Sequence, residues 1–330
     1  MFRVWCERRL PGEFREMLRG KAEYVGSAED SPGGVVQGPR TADAVVASSH
    51  IRYDGGLMDR LPTLQVISRT GVGIDNVAIS EASRRGIIVC NVPDGPTVST
   101  AEHTITLILA VAKELRRSQG GLERGERTDY FGDSRSIELR HLLLGVVGLG
   151  RIGREVAELA LGLRMRVLAY DASATITAPL GVDMARHLGE LLESVDVVTL
   201  HVPLSNRTRG LIGRDELGRM KKGSILINTA RGGLVDEEAL LEALHRGHLH
   251  GAGLDTLDRE PPPPDHALLA LSNVVITPHV AAATVTGKQR LWRTALEQAL
   301  MVLEGKPPWH MVNPEIWERR RGLIATERAE

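Results

Sequence analysis

The run Leu142–Val147 is continuously apolar, ends in Gly148-Leu149-Gly150-Arg151-Ile152-Gly153, and passes directly into the amphipathic stretch Arg151–Leu161. A short strand without polar alternation must be covered on both faces, as in a parallel sheet. Nine further runs, most of them likewise continuously apolar, are expected to be strands: Arg3–Cys6, Ala44–Ala47, Gln65–Ser68, Ile87–Cys90, Arg166–Tyr170, Asp196–His201, Ser224–Asn228, Gly251–Asp255 and Val274–Thr277. Between them, the spacing predicts helices over Thr100–Arg117, Glu237–His245 and Thr286–Glu304. Strands alternating with helices build βαβ units, so the expected fold class is α/β.

The glycines also carry chemistry. Gly148 permits a tight turn, Gly150 lets backbone approach a pyrophosphate, and Gly153 lets helix pack closely on strand. Arg151 and Ile152 open the helix, whose N-terminus offers N–H groups and positive dipole to a phosphate. Eighteen residues beyond Gly153 the next strand ends in Tyr170-Asp171. A carboxylate there can accept both hydroxyls of an adenosine ribose and would repel a 2′-phosphate. Ala172-Ser173-Ala174 supplies no Arg or Lys, so NAD is favoured over NADP.

Composition narrows the partners. With 330 residues the chain has room for two domains, each able to bury a core without disulfides. Its 41 basic and 42 acidic residues give a net charge of −1, which provides no global attraction to nucleic acid or anionic lipid. Cys6 and Cys90 have no CxxC spacing and read as buried small hydrophobes in a reducing compartment, with no thiolate metal site. The first residues become charged too early for a signal peptide, and the apolar stretch Ile105–Ala112 is too short to span a bilayer, so a cytoplasmic protein is expected. Gln119–Arg140 reads as a polar connection, Pro261–Pro264 as an extended surface loop, and Glu318–Arg321 with Ala325–Glu330 as a solvated tail.

Further segments closely resemble the signatures of the D-isomer-specific 2-hydroxyacid dehydrogenase family. They are Leu200-His201-Val202-Pro203-Leu204, Asn228-Thr229-Ala230-Arg231-Gly232-Gly233, Gly253-Leu254-Asp255 with Glu260-Pro261, and Thr277-Pro278-His279. Ser68–Asn76, Ala101-Glu102-His103 and Val312-Asn313-Pro314-Glu315 match as well, so the resemblance covers nearly the whole chain. It implies two Rossmann-like domains: a dinucleotide-binding domain, residues 99–285, inserted into a flavodoxin-like substrate domain, residues 1–98 and 286–330, with the active site in the cleft.

By matching positions, the resemblance implies that His279 is the general acid/base. An imidazole suits that task because its ordinary pKa, about 6.5, lets it hold or release a proton near neutrality. Glu260 would accept a hydrogen bond from the other ring nitrogen, and Arg231 would bind the substrate carboxylate and carbonyl oxygen. Gly71, Val72 and Gly73 would present backbone N–H groups to the same carboxylate. His201, Val202 and Pro203 would wall the adenosine side, Thr229 and Ala230 would pass beneath the nicotinamide ribose, and Asp255 would lie near the carboxamide; Thr208, Arg231, His279 and Ala281 would also contact the cofactor.

The chain also departs from the family. Ala47 stands where phosphoglycerate-type members often carry Arg, with His50, Arg52 and Arg69 nearby in sequence, and Tyr130-Phe131 and Arg140-His141 replace a Trp and a Gly-Lys pair common before the first nucleotide-domain strand. Glyoxylate or hydroxypyruvate, phosphoglycerate and larger acids therefore all stay open as the small 2-keto or 2-hydroxy acid. The resemblance implies a homodimer. An NAD(H)-sensing, corepressor-like binding protein on the same fold is the alternative function.

Overall fold

A computed structural model of the chain describes residues 1–30, 39–127, 132, 134–173 and 175–321. Ala174, Tyr130-Phe131 and the tail Ala325–Glu330 lie outside the described residues. The chain divides into two compact units, Met1–Pro96 with Val285–Glu330, and Thr97–Thr284.

The first unit is built on β1 (Phe2–Cys6), β2 (Ala22–Ser27), β3 (Ala44–Ala47), β4 (Val66–Arg69) and β5 (Ile88–Cys90). All pair in parallel in the order β2-β1-β3-β4-β5, a flavodoxin-like arrangement. Trp5, Val45, Ile67 and Val89 pack on Tyr53, Leu57 and Ile87 to form a core. The helix Val285–Leu303 lies on β3, β4 and β5, and Ser68 Oγ donates to Ala295 O at 2.8 Å.

The second unit carries β6 (Leu143–Val147), β7 (Arg166–Tyr170), β8 (Val182–Met184), β9 (Val197–Leu200), β10 (Ser224–Asn228), β11 (Leu249–Leu254) and β12 (Val274–Ile276). Its order, β12-β11-β10-β9-β6-β7-β8, is parallel throughout and is the Rossmann order with a seventh strand. Helices Thr97–Ala112 and Arg151–Gly162 pack on each other and on this sheet. The α/β class and the two Rossmann-like sheets are therefore present. Among the described residues no helix is long and apolar enough to cross a membrane. Cys6 and Cys90 are free and buried, and burial pushes both thiols well above their ordinary pKa.

Two strands do not stand out in the sequence. β2 and β8 each lie at one of the two edges of their sheet, and an edge needs no continuous apolar run. The helix expected over Thr100–Arg117 starts at Thr97, stops at Ala112, and resumes as Leu115–Glu123 after Glu114 turns left-handed at φ 49°. The returning chain causes the break. Ile137 N–H takes Ala112 O at 2.9 Å, Lys113 Nζ donates to Ile137 O at 2.9 Å, and Glu114 accepts from Arg135 N at 2.9 Å. These partners are distant in sequence and leave no trace in local periodicity. Arg321, in the run Glu318–Arg321, is less solvated than expected, since its Nη1 donates to Leu61 O and Pro62 O at 2.9 and 3.0 Å.

The Val312–Glu315 motif serves the first sheet. Val312 N–H donates to Val89 O at 2.8 Å, and Cys90 pairs with Met311, so the segment covers the edge of β5. Buried Asn313 accepts from Val89 N at 2.8 Å and donates to Ile87 O and Ser83 Oγ at 3.0 and 3.1 Å. Asn313→Ala strips three partners from a buried strand end and should lower unfolding free energy by about 1–3 kcal/mol. Asn313→Asp should cost at least as much, because a carboxylate has no N–H for Ile87 O. Urea unfolding of the three proteins checks this, and an unchanged midpoint in both variants would contradict the assignment.

Candidate active site

The site loops of the second unit all leave the carboxyl ends of parallel strands, where open α/β sheets bind ligands. Gly148, at the end of β6, has φ +95° and donates to Tyr170 O at 2.8 Å. A Cβ on it would lie 2.7 Å from His201 O and from Val202 Cγ1, and one on Gly153 would lie 2.0 Å from Gly148 O. Gly150, the N-cap of Arg151–Gly162, faces open space. The first N–H groups of that helix, from Arg151, Ile152 and Gly153, have no intrahelical acceptor. At the end of β7, Asp171 accepts from Leu149 N and Ser173 N, both at 2.9 Å, one on each oxygen. A carboxylate has about four acceptor positions, so two remain for ribose hydroxyls. These residues fit a dinucleotide.

After β9 come His201, Val202 and Pro203. Thr208 Oγ1 donates to Pro203 O at 2.6 Å and accepts from Ser205 N at 2.8 Å, so its hydroxyl closes this turn. The His201 ring approaches Thr199 Oγ1 at 3.0 Å, and desolvation pushes its pKa down to about 3.

The ends of β10, β11 and β12 are neighbours and carry Arg231, Asp255 and His279. Buried Asn228 accepts from Ala230 N at 3.0 Å and donates to Arg231 O at 2.8 Å, which fixes the turn from which Arg231 departs. Arg231 Nη1 donates to Ala230 O at 2.7 Å. Thr229 is buried, and its hydroxyl meets Thr104 Oγ1 at 2.8 Å. Asp255 is 1% exposed and binds the loop after β12. Its Oδ1 accepts from Thr277 Oγ1 at 2.6 Å and Val280 N at 2.9 Å, and its Oδ2 from Ala281 N at 2.9 Å. Its backbone oxygen accepts from His279 N at 2.8 Å. Held in this way, His279 takes a left-handed φ of 53°.

His279 Nδ1 meets Glu260 Oε2 at 2.7 Å, leaving Nε2 for a reactant. Glu260 Oε1 accepts from Leu257 N at 3.2 Å. Burial alone would raise the Glu260 pKa; the hydrogen bond and charge of His279, the Leu257 N–H and the Arg231 charge offset it and hold the carboxyl below its ordinary value. Glu237 supports the same loop, accepting from Asp258 N at 2.6 Å and meeting His266 Nε2 at 3.1 Å. Among the described residues no group of His, Cys, Asp or Glu could hold a metal ion.

In the first unit, the carbonyls of Gly71, Val72 and Gly73 accept from Val92 N, Asn91 Nδ2 and Arg69 Nε at 2.9, 2.8 and 2.9 Å. Val72 is exposed. The loop Ser48–Tyr53 is gathered around buried Glu7, which accepts from Ser48 N, His50 N and Ile51 N at 2.8, 2.7 and 3.1 Å. Ala47 is fully buried at the head of that loop.

Reasoning from sequence overlooked the residues that hold these turns. Asn228, Thr277 and His103 all lie inside the motifs, but their side chains face protein rather than a ligand. A signal existed for Asn228, an amide that ends an apolar strand.

Residues 105–281 match the family model described as D-isomer specific 2-hydroxyacid dehydrogenase, NAD binding domain. The chain is 42% identical over 275 residues to the D-3-phosphoglycerate dehydrogenase of Archaeoglobus fulgidus, covering 82% of this chain and 51% of that one. It thus spans about half the length of that relative. It is 36% identical over 328 residues to the glyoxylate reductase of Thermofilum pendens, covering 96% of each. The crystal structure of TT0316 protein from Thermus thermophilus superposes with a TM-score of 0.86 at 40% identity, covering 94% of this chain and 100% of that one.

The low pKa of His201 ties stability to pH. The unfolded ring titrates near its ordinary value of 6.5 and the folded ring near 3, so the unfolded state binds more protons in between. The stability that a neutral His201 contributes should be complete above 6.5 and fall as pH drops toward 3. Glu260, lowered on folding from 4.5, acts in the same direction at the acid end. Denaturant unfolding at stepped pH should show this slope, and His201→Asn should flatten it between 6.5 and 4.5; an equally steep slope in the variant would contradict the assignment.

Proposed function

The chain belongs to the D-isomer-specific 2-hydroxyacid dehydrogenase family, and we propose that it is an NAD-dependent enzyme interconverting a D-2-hydroxy acid and its 2-keto acid. The observation that carries this reading is the 2.7 Å contact between His279 Nδ1 and Glu260, on loops adjoining the turn that bears Arg231.

Each residue has a defined task. Glu260, held as a carboxylate, accepts from His279 Nδ1–H and stabilises the charged ring. The proton on Nε2 passes to the ketone oxygen in reduction and returns in oxidation. Arg231 offers a planar fork of donors to the substrate carboxylate and orients the carbonyl. Gly71, Val72 and Gly73 present N–H groups to that carboxylate. Gly148, Gly150, Arg151, Ile152 and Gly153 hold the pyrophosphate, Asp171 the adenosine ribose, His201, Val202 and Pro203 the adenosine side, and Thr229, Ala230 and Ala281 the nicotinamide half, while buried Asp255 serves this half through the loop that it holds. Bound nicotinamide supplies or accepts the hydride. The Asp171 carboxylate supports NAD over NADP, because a 2′-phosphate beside it would meet like charge. The reading includes a homodimer in the cytoplasm, with residues 99–285 as the nucleotide domain and the remainder as the substrate domain.

The test follows NADH consumption with glyoxylate, hydroxypyruvate, phosphohydroxypyruvate, pyruvate and phenylpyruvate. The panel spans the side groups named by the relatives and beyond. Wild type should turn over at least one acid, and His279→Ala should lower kcat by on the order of 10²–10⁴-fold. NADH should be preferred to NADPH, and Asp171→Ala should narrow that preference. Tight NADH binding with no turnover across the panel would overturn the dehydrogenase and leave a cofactor-sensing protein; a preference for NADPH would overturn the role of Asp171.

A further inference from the structure

His103, on the helix Thr97–Ala112, has no part in the chemistry above, yet it reaches the head of the sheet. Its Nε2 lies 2.9 Å from Thr277 Oγ1 and 3.5 Å from Asp255 Oδ1. Two glycines of β11 bring it there. A Cβ on Gly251 would fall 2.7 Å from Val111 Cγ1, and one on Gly253 would fall 2.9 Å from Leu107 Cβ. Leu107 and Val111 therefore sit over Gly253 and Gly251. One more step along both elements pairs His103 with Asp255. Four helical residues advance about 6 Å and two strand residues about 6.6 Å, so the register is kept from one pair to the next.

Hydrogen-bond accounting fixes the direction of the contact. Thr277 Oγ has one proton, and Asp255, a carboxylate, can only accept, so that proton goes to Asp255 Oδ1. Thr277 Oγ must then accept from His103, which makes Nε2 the protonated nitrogen. We propose that His103 is a positioning residue for His279: its Nε2–H commits the Thr277 hydroxyl, before the acid/base residue, to Asp255 and so locks the carboxylate that holds the N–H groups of Val280 and Ala281 directly after it. Its consequence for turnover rests on the dehydrogenase reading, whereas its consequence for the ring of His279 does not.

Two variants separate a donor from mere filling. His103→Gln keeps an N–H near the Nε2 position, and His103→Leu fills the space without one. In protein labelled with ¹⁵N-histidine, the His279 ring signals, identified by their loss in His279→Gln, should shift in His103→Leu and stay near wild type in His103→Gln. With NADH and a keto acid that wild type reduces, His103→Leu should lower kcat by about 10- to 100-fold, because a small misplacement of a catalytic group is amplified in rate. KM should move less than about threefold, and His103→Gln should recover most of the loss. Unchanged His279 signals in His103→Leu, or a glutamine variant as impaired as the leucine one, would overturn the proposal. If wild type reduces no acid, the dehydrogenase reading fails, and the His279 signals still decide the role of His103.

Discussion

The carboxylate of Asp255 is buried at the end of β11 and must be neutralised by donors, and the donors it collects are those of the loop carrying His279. Thr277, Val280 and Ala281 each give it a hydrogen bond, and its own carbonyl takes the N–H of His279. A left-handed residue other than glycine costs of order 1–3 kcal/mol and persists only where its surroundings over-determine it. Here they do. The imidazole stands beside Glu260 because a neighbouring acid, bonded to the Thr277 hydroxyl before it and to the N–H groups of Val280 and Ala281 after it, has fixed the loop on both sides.

The parallel sheet makes this arrangement economical in sequence. Consecutive strand ends β10, β11 and β12 present a guanidinium, a structural carboxylate and an imidazole side by side, while β6 and β7 present the glycine turn and Asp171. The same sheet separates two electrostatic tasks. Asp171, satisfied by two backbone donors, keeps acceptor capacity for hydroxyls. Glu260 instead keeps its negative charge despite partial burial because His279 and Arg231 lie close to it.

Much of this was legible in the residues. The ten apolar runs became strands, several of them buried along their whole length, such as β3, β4, β9 and β10, and the glycine turn announced itself by position between strand and helix. β5 and β12, each at one edge of its sheet, were legible because their runs are apolar all the same; β2 and β8, at the opposite edges, were not, since a strand with one open side needs no distinctive composition. Nor was the end of the helix at Ala112, which depends on Ile137 returning to take its carbonyl. At the candidate site, the motifs implied the contact between His279 and Glu260 that the fold makes. That Asp255 serves the His279 loop, and that Asn228 sets the turn of Arg231, are facts about hydrogen-bond direction in a folded chain, which spacing does not encode.

The central claim is that Asp255 acts by presenting His279 to Glu260. A double-mutant cycle measures this directly: kcat/KM for a reducible keto acid in Asp255→Asn, Glu260→Gln and the double variant. If the two residues act through one ring, removing either spoils the same arrangement, and the double variant should be little worse than the poorer single. Losses that multiply would show two independent contributions and would contradict the account.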